Sequence, residues 1–524
     1  MKNKLIFLSI PIIIWILYYQ ILDNPLIFDS TNYFHSIHDV SWKAFYNIIM
    51  KDWLVVSRYM NTTSLTMLAP YGISAQYSFN ICLHIVNTLL VWFLIRQLYE
   101  RKVATMIMFF FAVNPAYFHA IGDIVERNQL LMFFFCIVQM LLYIKALKVR
   151  NIFLSILFLA GSLFMYKLSI AAKECSVAFL SIYPILSLVF RENWKRSIFY
   201  MGGLSIVGVF IFYKVSSSIG LDRYFHYGKM LKDVCPAFKE TPDMLLRSIF
   251  TQSRLFFRYF LSWLLPLRTA IEMRFEFAGS GAYTWLIVFI IYFLTSVLLL
   301  IKNSTRKLGA GLVMAGCFFI PEFTRLRLGE MFTPYRIYHF SMGYLLIVGF
   351  FLSKIRNDLI IKTIYLWVAI LALISYGRIG IYDKASTAWA YAADNIDLKN
   401  EGIKCQAFRA FGNVGAAYLK EKNIKKAEPY LLKAVNINPK YTTALANLAN
   451  IYYLKQNYQL AFYFANKVIE SGVKGNSLIT VLLVKGHIYK SMGKHDLALR
   501  TYKQENHILL NKEAEKLKTL MEKL

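Results

Sequence analysis

Residues 250–267 read FTQSRLFFRYFLSWLLPL, and whether this stretch crosses a membrane decides how the whole chain is threaded. It is apolar enough to be taken for a span. Yet Arg254 and Arg258 lie inside it, and insertion scales set the cost of an Arg at the bilayer centre at roughly 2.5–3.5 kcal/mol. The flanking basic clusters argue the same way. Lys2 and Lys4 precede the first apolar run, and alternate loops carry Arg96, Arg101 and Lys102; Lys145, Lys148 and Arg150; Arg191, Lys195 and Arg196; Lys302, Arg306 and Lys307; and Lys354, Arg356 and Lys362. With 250–267 left out of the count, every cluster falls on one side, as the positive-inside rule requires of cytoplasmic loops. Counting it moves Lys302, Arg306 and Lys307 across. The segment therefore reads as a re-entrant or interfacial helix.

Working outward, a spanning helix needs about 20 predominantly apolar residues. Such runs lie near 5–22, 76–98, 103–119, 128–147, 152–171, 175–190, 197–213, 283–301, 308–321, 336–353 and 359–376. About eleven spans put the N-terminus inside and the C-terminus outside. Residues 1–22 have a basic start and an apolar run but no small-x-small cleavage site, so they read as a retained first helix. The expected fold is all-α: a polytopic membrane helix bundle over 1–376 with long outer loops at about 23–75 and 214–282, a linker helix over 377–407, and a polar region over 408–524. The first outer loop holds VSWKAFYNIIM (40–50), an aromatic-rich stretch suited to lying on the membrane surface.

Composition agrees. The 524 residues are 57% hydrophobic, above the 45–50% or so of soluble domains. The net charge of +29 is explained by the cytoplasmic clusters, which sets nucleic-acid binding below membrane orientation as its cause. The six cysteines show no metal-ligand spacing. Four fall in apolar blocks, and Cys235 and Cys405 are free to pair if both face an oxidising compartment.

From Phe408 a 34-residue period begins. Phe411, Val414, Gly415, Tyr418, Ala427, Leu431, Ala434 and Pro439 recur as Leu445, Leu448, Ala449, Tyr452 and Ala461. After an insertion around 472–476 they recur again as Leu482, Gly486, Tyr489 and Ala498. These are the offsets of the tetratricopeptide pattern, a helical α-solenoid in which small residues let paired helices approach.

Charged residues also stand at the outer ends of spans, where cytoplasmic retention does not account for them: Asp29, Arg58, Asp123, Glu126, Arg127, Lys173, Glu174, Arg258, Glu272, Arg274, Arg325, Arg327, Glu330 and Arg336. For any one of them, pairing or snorkelling to the headgroups is an equally good account. Together they suit a polar cavity, and a basic one fits a lipid-linked phosphate, because Arg forks match phosphate oxygens.

Several stretches, in order along the chain, carry a family likeness. They are Phe28-Asp29 with Asn32 and Val40; Arg58; Asn80 to Asn87 with His84; Asn114-Pro115 followed by Arg127 and two leucines; Lys173-Glu174; Arg258-Tyr259 with Pro266; and Tyr335-Arg336 with Tyr338. The set resembles the C-type (GT-C) glycosyltransferases, and most closely those with trailing tetratricopeptide repeats: the transmembrane-and-tetratricopeptide O-mannosyltransferases and their bacterial relatives. Three positions depart from that family. Ser30 follows Asp29 where a second acid is common, Asn114 stands for the usual His, and Tyr335 stands where Glu is common.

The resemblance implies an inverting enzyme that moves a sugar from a polyprenyl- or dolichyl-phosphate carrier to a hydroxyl of an extracytoplasmic acceptor, a protein held by the repeats. Asp29 is then the base, and Arg127, Lys173, Arg258 and Arg336 are candidates for the carrier phosphate. Arg58, His84, Glu174 and Tyr338 complete the binding set, with Glu174 expected to pair with Lys173 or Arg127. His35, His38 and Asp39 near Asp29 read as a polar loop before a metal site, so a divalent metal stays open and no metal ligand is assigned. The competing functions are an inactive membrane anchor that presents the repeats, and a transporter of lipid-linked sugar. Eleven spans are more than an anchor needs, and the two halves of the membrane region show no internal repeat of the transporter kind. Short loops point to a bacterial cytoplasmic membrane, with the endoplasmic reticulum as the alternative.

Overall fold

The computed structural model describes residues 2–26, 59–190, 200, 235, 243–267, 270, 273–279, 281–324, 326–327 and 331–504. Among them the chain is helical, with an isolated β-bridge between Met273 and Phe332. The membrane part comprises α1 (Lys2–Tyr18), α2 (Tyr59–Leu68), α3 (Gly72–Arg96), α4 (Arg101–Val113), the short α5 (Phe118–Ile121), α6 (Arg127–Lys148), α7 (Ile152–Ala172), α8 (Ile182–Val189), α9 (Met244–Leu264), α10 (Thr284–Ile301), α11 (Arg306–Phe319), α12 (Ile337–Leu352) and α13 (Asp358–Ile379).

Seven of the described helical runs are long and apolar enough to cross a membrane: Tyr59–Arg96, Arg127–Lys148, Ile152–Ala172, Thr284–Ile301, Arg306–Thr324, Pro334–Leu352 and Asp358–Tyr382. Arg101–Val113 and Pro115–Ile121 make an eighth only if counted as one span bent by 48°. Phe7–Asp23 and Glu174–Val189 are apolar but shorter. The expected segment 197–213 lies outside the described residues apart from Tyr200. Among the described residues the count of eleven is therefore not reached.

Two of the differences have local causes. The run expected at 76 begins at Tyr59, because a 3-10 turn, Ala69–Tyr71, carries the chain helically past Pro70. The run expected at 103–119 breaks at Asn114, since Pro115 bars the helical conformation from the residue before it.

The helices pack by close approach. A Cβ on Gly343 of α12 would lie 2.6 Å from the backbone nitrogen of Ala315 and 2.7 Å from the carbonyl oxygen of Gly311, both on α11. This is the small-residue contact that lets helices associate without a hydrophobic driving force. The segment 250–267 is helical within α9 and is not among the runs apolar enough to span. Leu255, Tyr259 and Trp263 are buried, while Arg258, Leu261 and Leu265 are exposed, so the helix packs on the bundle by one face.

The basic loops that follow α3, α6, α10 and α12 meet at one end of the bundle. Lys148 Nζ donates to Gln97 Oε1 at 3.0 Å, Lys307 Nζ to the Leu98 carbonyl at 2.5 Å, and Lys102 faces Asp358 at 3.9 Å.

The expected single linker helix is instead a 3-10 turn, Gly380–Tyr382, then α14 (Ala385–Asp394) and the one-turn α15 (Glu401–Lys404). The repeats follow as α16 (Phe408–Lys420) with α17 (Ile424–Ile437), α18 (Thr442–Leu454) with α19 (Tyr458–Glu470), and α20 (Asn476–Ser491) with a last helix from 495. α14 packs on α16 and so caps the stack. Within the first hairpin, a Cβ on Gly415 would lie 2.5 Å from Leu431 Cγ, so the period needs a small residue there. Asn423 and Asn457 cap the second helices of their hairpins through the Lys426 and Leu460 N–H groups.

Candidate active site

The end of the bundle opposite the basic loops carries two joined polar networks. Both are built where α6 and α12 begin, and helix N-termini favour negative charge.

The first network is buried. Arg127, which opens α6, is fully buried. Its Nε donates to Asn80 Oδ1 at 2.7 Å, Nη1 to Ser64 Oγ at 3.3 Å, and Nη2 to the Gln76 carbonyl and Oε1 at 2.8 and 2.7 Å. All three of its nitrogens thus serve α2 and α3. One helical turn further along α3, His84 Nδ1 lies 2.8 Å from the Tyr338 hydroxyl and its Nε2 lies 3.3 Å from the Ala112 carbonyl. The tautomer that satisfies both bonds carries its proton on Nε2 and accepts from Tyr338 at Nδ1. Asn87 Nδ2 then donates to the same hydroxyl at 3.1 Å. Asn80, His84 and Asn87 share one face of α3 because they stand at i, i+4 and i+7. Their partners are protein groups, so this network fixes α3, α4, α6 and α12 together.

The second network is charged. Lys173 ends α7 in an extended conformation, which lets its side chain turn across to α6. Its Nζ donates to Glu126 Oε2 at 3.3 Å and Asn128 Oδ1 at 3.2 Å. Glu126 thus gives Lys173 a carboxylate, and Glu174, half-buried, opens the 3-10 helix Glu174–Ser181 beside it. Lys173 Nζ also lies 4.9 Å from the Tyr335 ring centre, and the Arg336 guanidinium lies 5.8 Å from the same ring. Tyr335 thus stands between two cations. Arg336 Nη1 donates to Glu322 Oε2 at 2.5 Å, and Arg327 Nη2 reaches that same oxygen at 3.1 Å. In the first turn of α12, His339 Nδ1 lies 2.8 Å from Gln129 Oε1. Arg127, Asn128 and Gln129 therefore each reach a different part of the bundle from the first turn of α6.

The structure brings Lys173 and Arg336 together and joins His84 to Tyr338. Arg127 sits deeper, with its donors taken by protein. Arg258 is exposed on α9, while its neighbour Tyr259 accepts from the Thr333 N–H at 2.9 Å. Asn114, in the place of the family's usual His, caps the bend: its Oδ1 accepts from the Ala116 N–H and its Nδ2 donates to the Trp263 carbonyl. Asp29 and Arg58 lie outside the described residues, as do His35, His38 and Asp39. Among the described residues, no group of three or more His, Cys, Asp or Glu side chains is placed to hold a metal.

Sequence reasoning missed Glu322. The carboxylate absent from position 335 comes instead from 14 residues upstream of Arg336. The signal for it was Pro321-Glu322, an acid directly after the proline that breaks an apolar run.

The repeats attach at this same end. Cys235 and Cys405 form a disulfide across a separation of 170 residues. Gln406 Nε2 donates to the Phe275 carbonyl at 3.2 Å and Asn400 Nδ2 to Glu276 Oε2 at 3.3 Å. Residues 273–278 in turn lie on α9, where Arg254 donates to the Glu276 carbonyl and Arg247 to the Ala278 carbonyl.

Among known proteins, the tetratricopeptide repeat family matches residues 408–441 and 479–504. No curated protein matches the chain. The C-terminal region is thus a stack of tetratricopeptide repeats, a protein-binding scaffold in general terms, fixed to a polytopic membrane helix bundle.

Proposed function

We propose that the chain is a membrane glycosyltransferase that moves a sugar from a polyprenyl- or dolichyl-phosphate carrier to a hydroxyl of an extracytoplasmic protein acceptor. One observation carries this reading: Lys173 and Arg336, distant in sequence, gather at Tyr335, and Arg327 is joined to Arg336 through Glu322, at the bundle end where the repeats attach. Buried cations at the ends of apolar helices suit a phosphate whose second substituent is a lipid tail lying between those helices.

In the proposed reaction Asp29 takes the proton of the acceptor hydroxyl. The hydroxyl oxygen bonds to the anomeric carbon from the face opposite the phosphate, so the configuration inverts. The bond from the anomeric carbon to the phosphate oxygen breaks, and its electron pair leaves with the carrier phosphate. Lys173, Arg327 and Arg336 stabilise the charge that grows there. The basic loops at the opposite end support a cytoplasmic assignment for that end. The Cys235–Cys405 disulfide supports an oxidising compartment for the repeats, whose concave face would hold the acceptor chain.

The test is sugar transfer by the purified protein from a panel of polyprenyl-phosphate sugars to Ser- and Thr-containing peptides, read by mass spectrometry. Transfer should occur from at least one donor. Asp29→Asn should lower it by about 10²–10⁴-fold, the range of general-base catalysis, without changing the thermal unfolding curve. Wild-type turnover in that variant removes Asp29 from the mechanism, and no transfer from any donor removes the reading.

A further inference from the structure

We infer that Glu322 is a positioning residue that sets how tightly the site holds a phosphate, an inference that rests on the reading of this site as the carrier-phosphate site. A single oxygen, Oε2, takes both Arg336 and Arg327. All three side chains are buried, at 4, 7 and 10% exposure for Glu322, Arg336 and Arg327, so the carboxylate has little water to screen it. Its place follows from the chain: the 3-10 turn Ile320–Thr324 ends the run begun by α11, and there Glu322 meets Arg336, which precedes α12.

Such a carboxylate does two things. It holds two guanidinium groups, which would otherwise repel each other, side by side, with that of Arg336 beside the Tyr335 ring that Lys173 also meets. It also offsets part of their charge, so that an incoming phosphate shares the arginines with an internal anion and the spent carrier phosphate is able to leave. Without that charge, the cations would bind phosphate too well.

The experiment is binding of polyprenyl phosphate, with polyprenol as the uncharged control, to the full chain in nanodiscs of zwitterionic lipid. Glu322→Gln keeps the side chain's shape and removes its charge. It should bind polyprenyl phosphate on the order of tenfold more tightly, since one nearby like charge is gone, and leave polyprenol unchanged. Glu322→Asp, which keeps the charge, should stay within about twofold of wild type by the same argument. A carboxylate that merely supported the fold would weaken binding when neutralised. Equal or weaker binding by Glu322→Gln therefore overturns the inference. If that variant does not fold, Arg327→Gln is compared with Arg327→Gln/Glu322→Gln, where the pair leaves together and the same gain should appear in the double variant. Phosphate binding that follows this pattern without sugar transfer would sink the enzyme reading and keep the inference. Transfer by a wild type whose Glu322→Gln variant gains no affinity would do the reverse. Failure of the wild type to prefer polyprenyl phosphate over polyprenol would sink both.

Discussion

Glu428 joins one repeat hairpin to the next, because its carboxylate accepts from Lys455 on the following hairpin. Lys455 also lies over the Tyr452 ring, 5.8 Å from its centre. The hydrogen bond from Lys455 holds the Glu428 carboxyl below its ordinary value of 4.5, against a smaller opposing effect of burial, and a bond from Tyr452 adds to it. Burial, and then the same carboxylate, push the Tyr452 hydroxyl up to about 12. A carboxyl whose value is lower in the folded chain stabilises the fold fully above its unfolded value, near pH 4.5, and loses that contribution as pH falls through the lowered folded value. Hydrogen exchange across residues 424–458 should therefore accelerate as pH drops below about 4.5, after correction for the intrinsic rate. Glu428→Gln should exchange somewhat faster at neutral pH and lose most of the acid-dependent step, and an unchanged step would assign it to another group. The pair is partly open to solvent, so the effect belongs with the modest surface ion pairs. Glu322 is the contrasting case, a carboxylate fully enclosed with two arginines. There the same chemistry is strong enough to bear on function rather than on the joint between two hairpins.

Among the helices, α11 and α12 depend on a contact made of backbone. With a Cβ on Gly343 directed at 2.6 Å toward the Ala315 nitrogen, no rotamer relieves the clash, and the helices must part. Gly343→Ala should cost about 1–3 kcal/mol, the range for overpacking a filled site, and Gly343→Leu should prevent stable assembly. Gly377 on α13 has nothing within 4 Å of the point where a Cβ would stand, so Gly377→Ala should be neutral or gain up to about 1 kcal/mol from helix propensity. Thermal unfolding in detergent distinguishes the two, and equal midpoints would mean that α11 and α12 separate freely. Such contacts are also the limit of what a sequence reveals. The apolar runs and the 34-residue period are legible because each is a local property of composition or spacing. The bend at Asn114 and the helical path through Pro70, with its early start at Tyr59, are harder to read, because a proline marks a break in one case and is carried in a 3-10 turn in the other. In the site, Lys173 and Arg336 stand out as charges at the ends of apolar runs. Glu322 escapes because its partners lie beyond a chain reversal and not directly beside it in sequence. Arg127 is equally visible as a charge, but its burial against α2 and α3 is written in the partners' positions and not in its own.

Across the whole molecule, the question is how a repeat stack joined by residues 380–407 keeps a fixed place above the bundle. A connection of this length with only short helices would leave two bodies free to move. Three links oppose that: the Cys235–Cys405 bond, the hydrogen bonds from Asn400 and Gln406 to residues 275–276, and Ser386, whose N–H and hydroxyl both donate to Glu421. The hydrogen bonds from Asn400 and Gln406 reach the segment that lies on α9, and α9 in turn holds Thr333 beside the charged network through Tyr259. A displacement of the repeats would therefore be felt three residues from Arg336. The disulfide is the covalent member of this joint, and cross-links closing long loops stabilise by about 2–4 kcal/mol. Cys235→Ser/Cys405→Ser should lower the thermal midpoint and raise hydrogen exchange across 396–407 while leaving the interior of α16 and α17 protected. A reducing agent should do the same to the wild type and nothing further to the double variant. Under non-reducing denaturation, alkylation should find Cys82, Cys136, Cys175 and Cys317 as the free thiols. Exchange at 396–407 that does not respond to reduction would mean that the hydrogen bonds alone hold the repeats over the site. Loss of protection throughout α16 and α17 would mean that the stack needs the membrane part in order to fold, and that the two are one cooperative body.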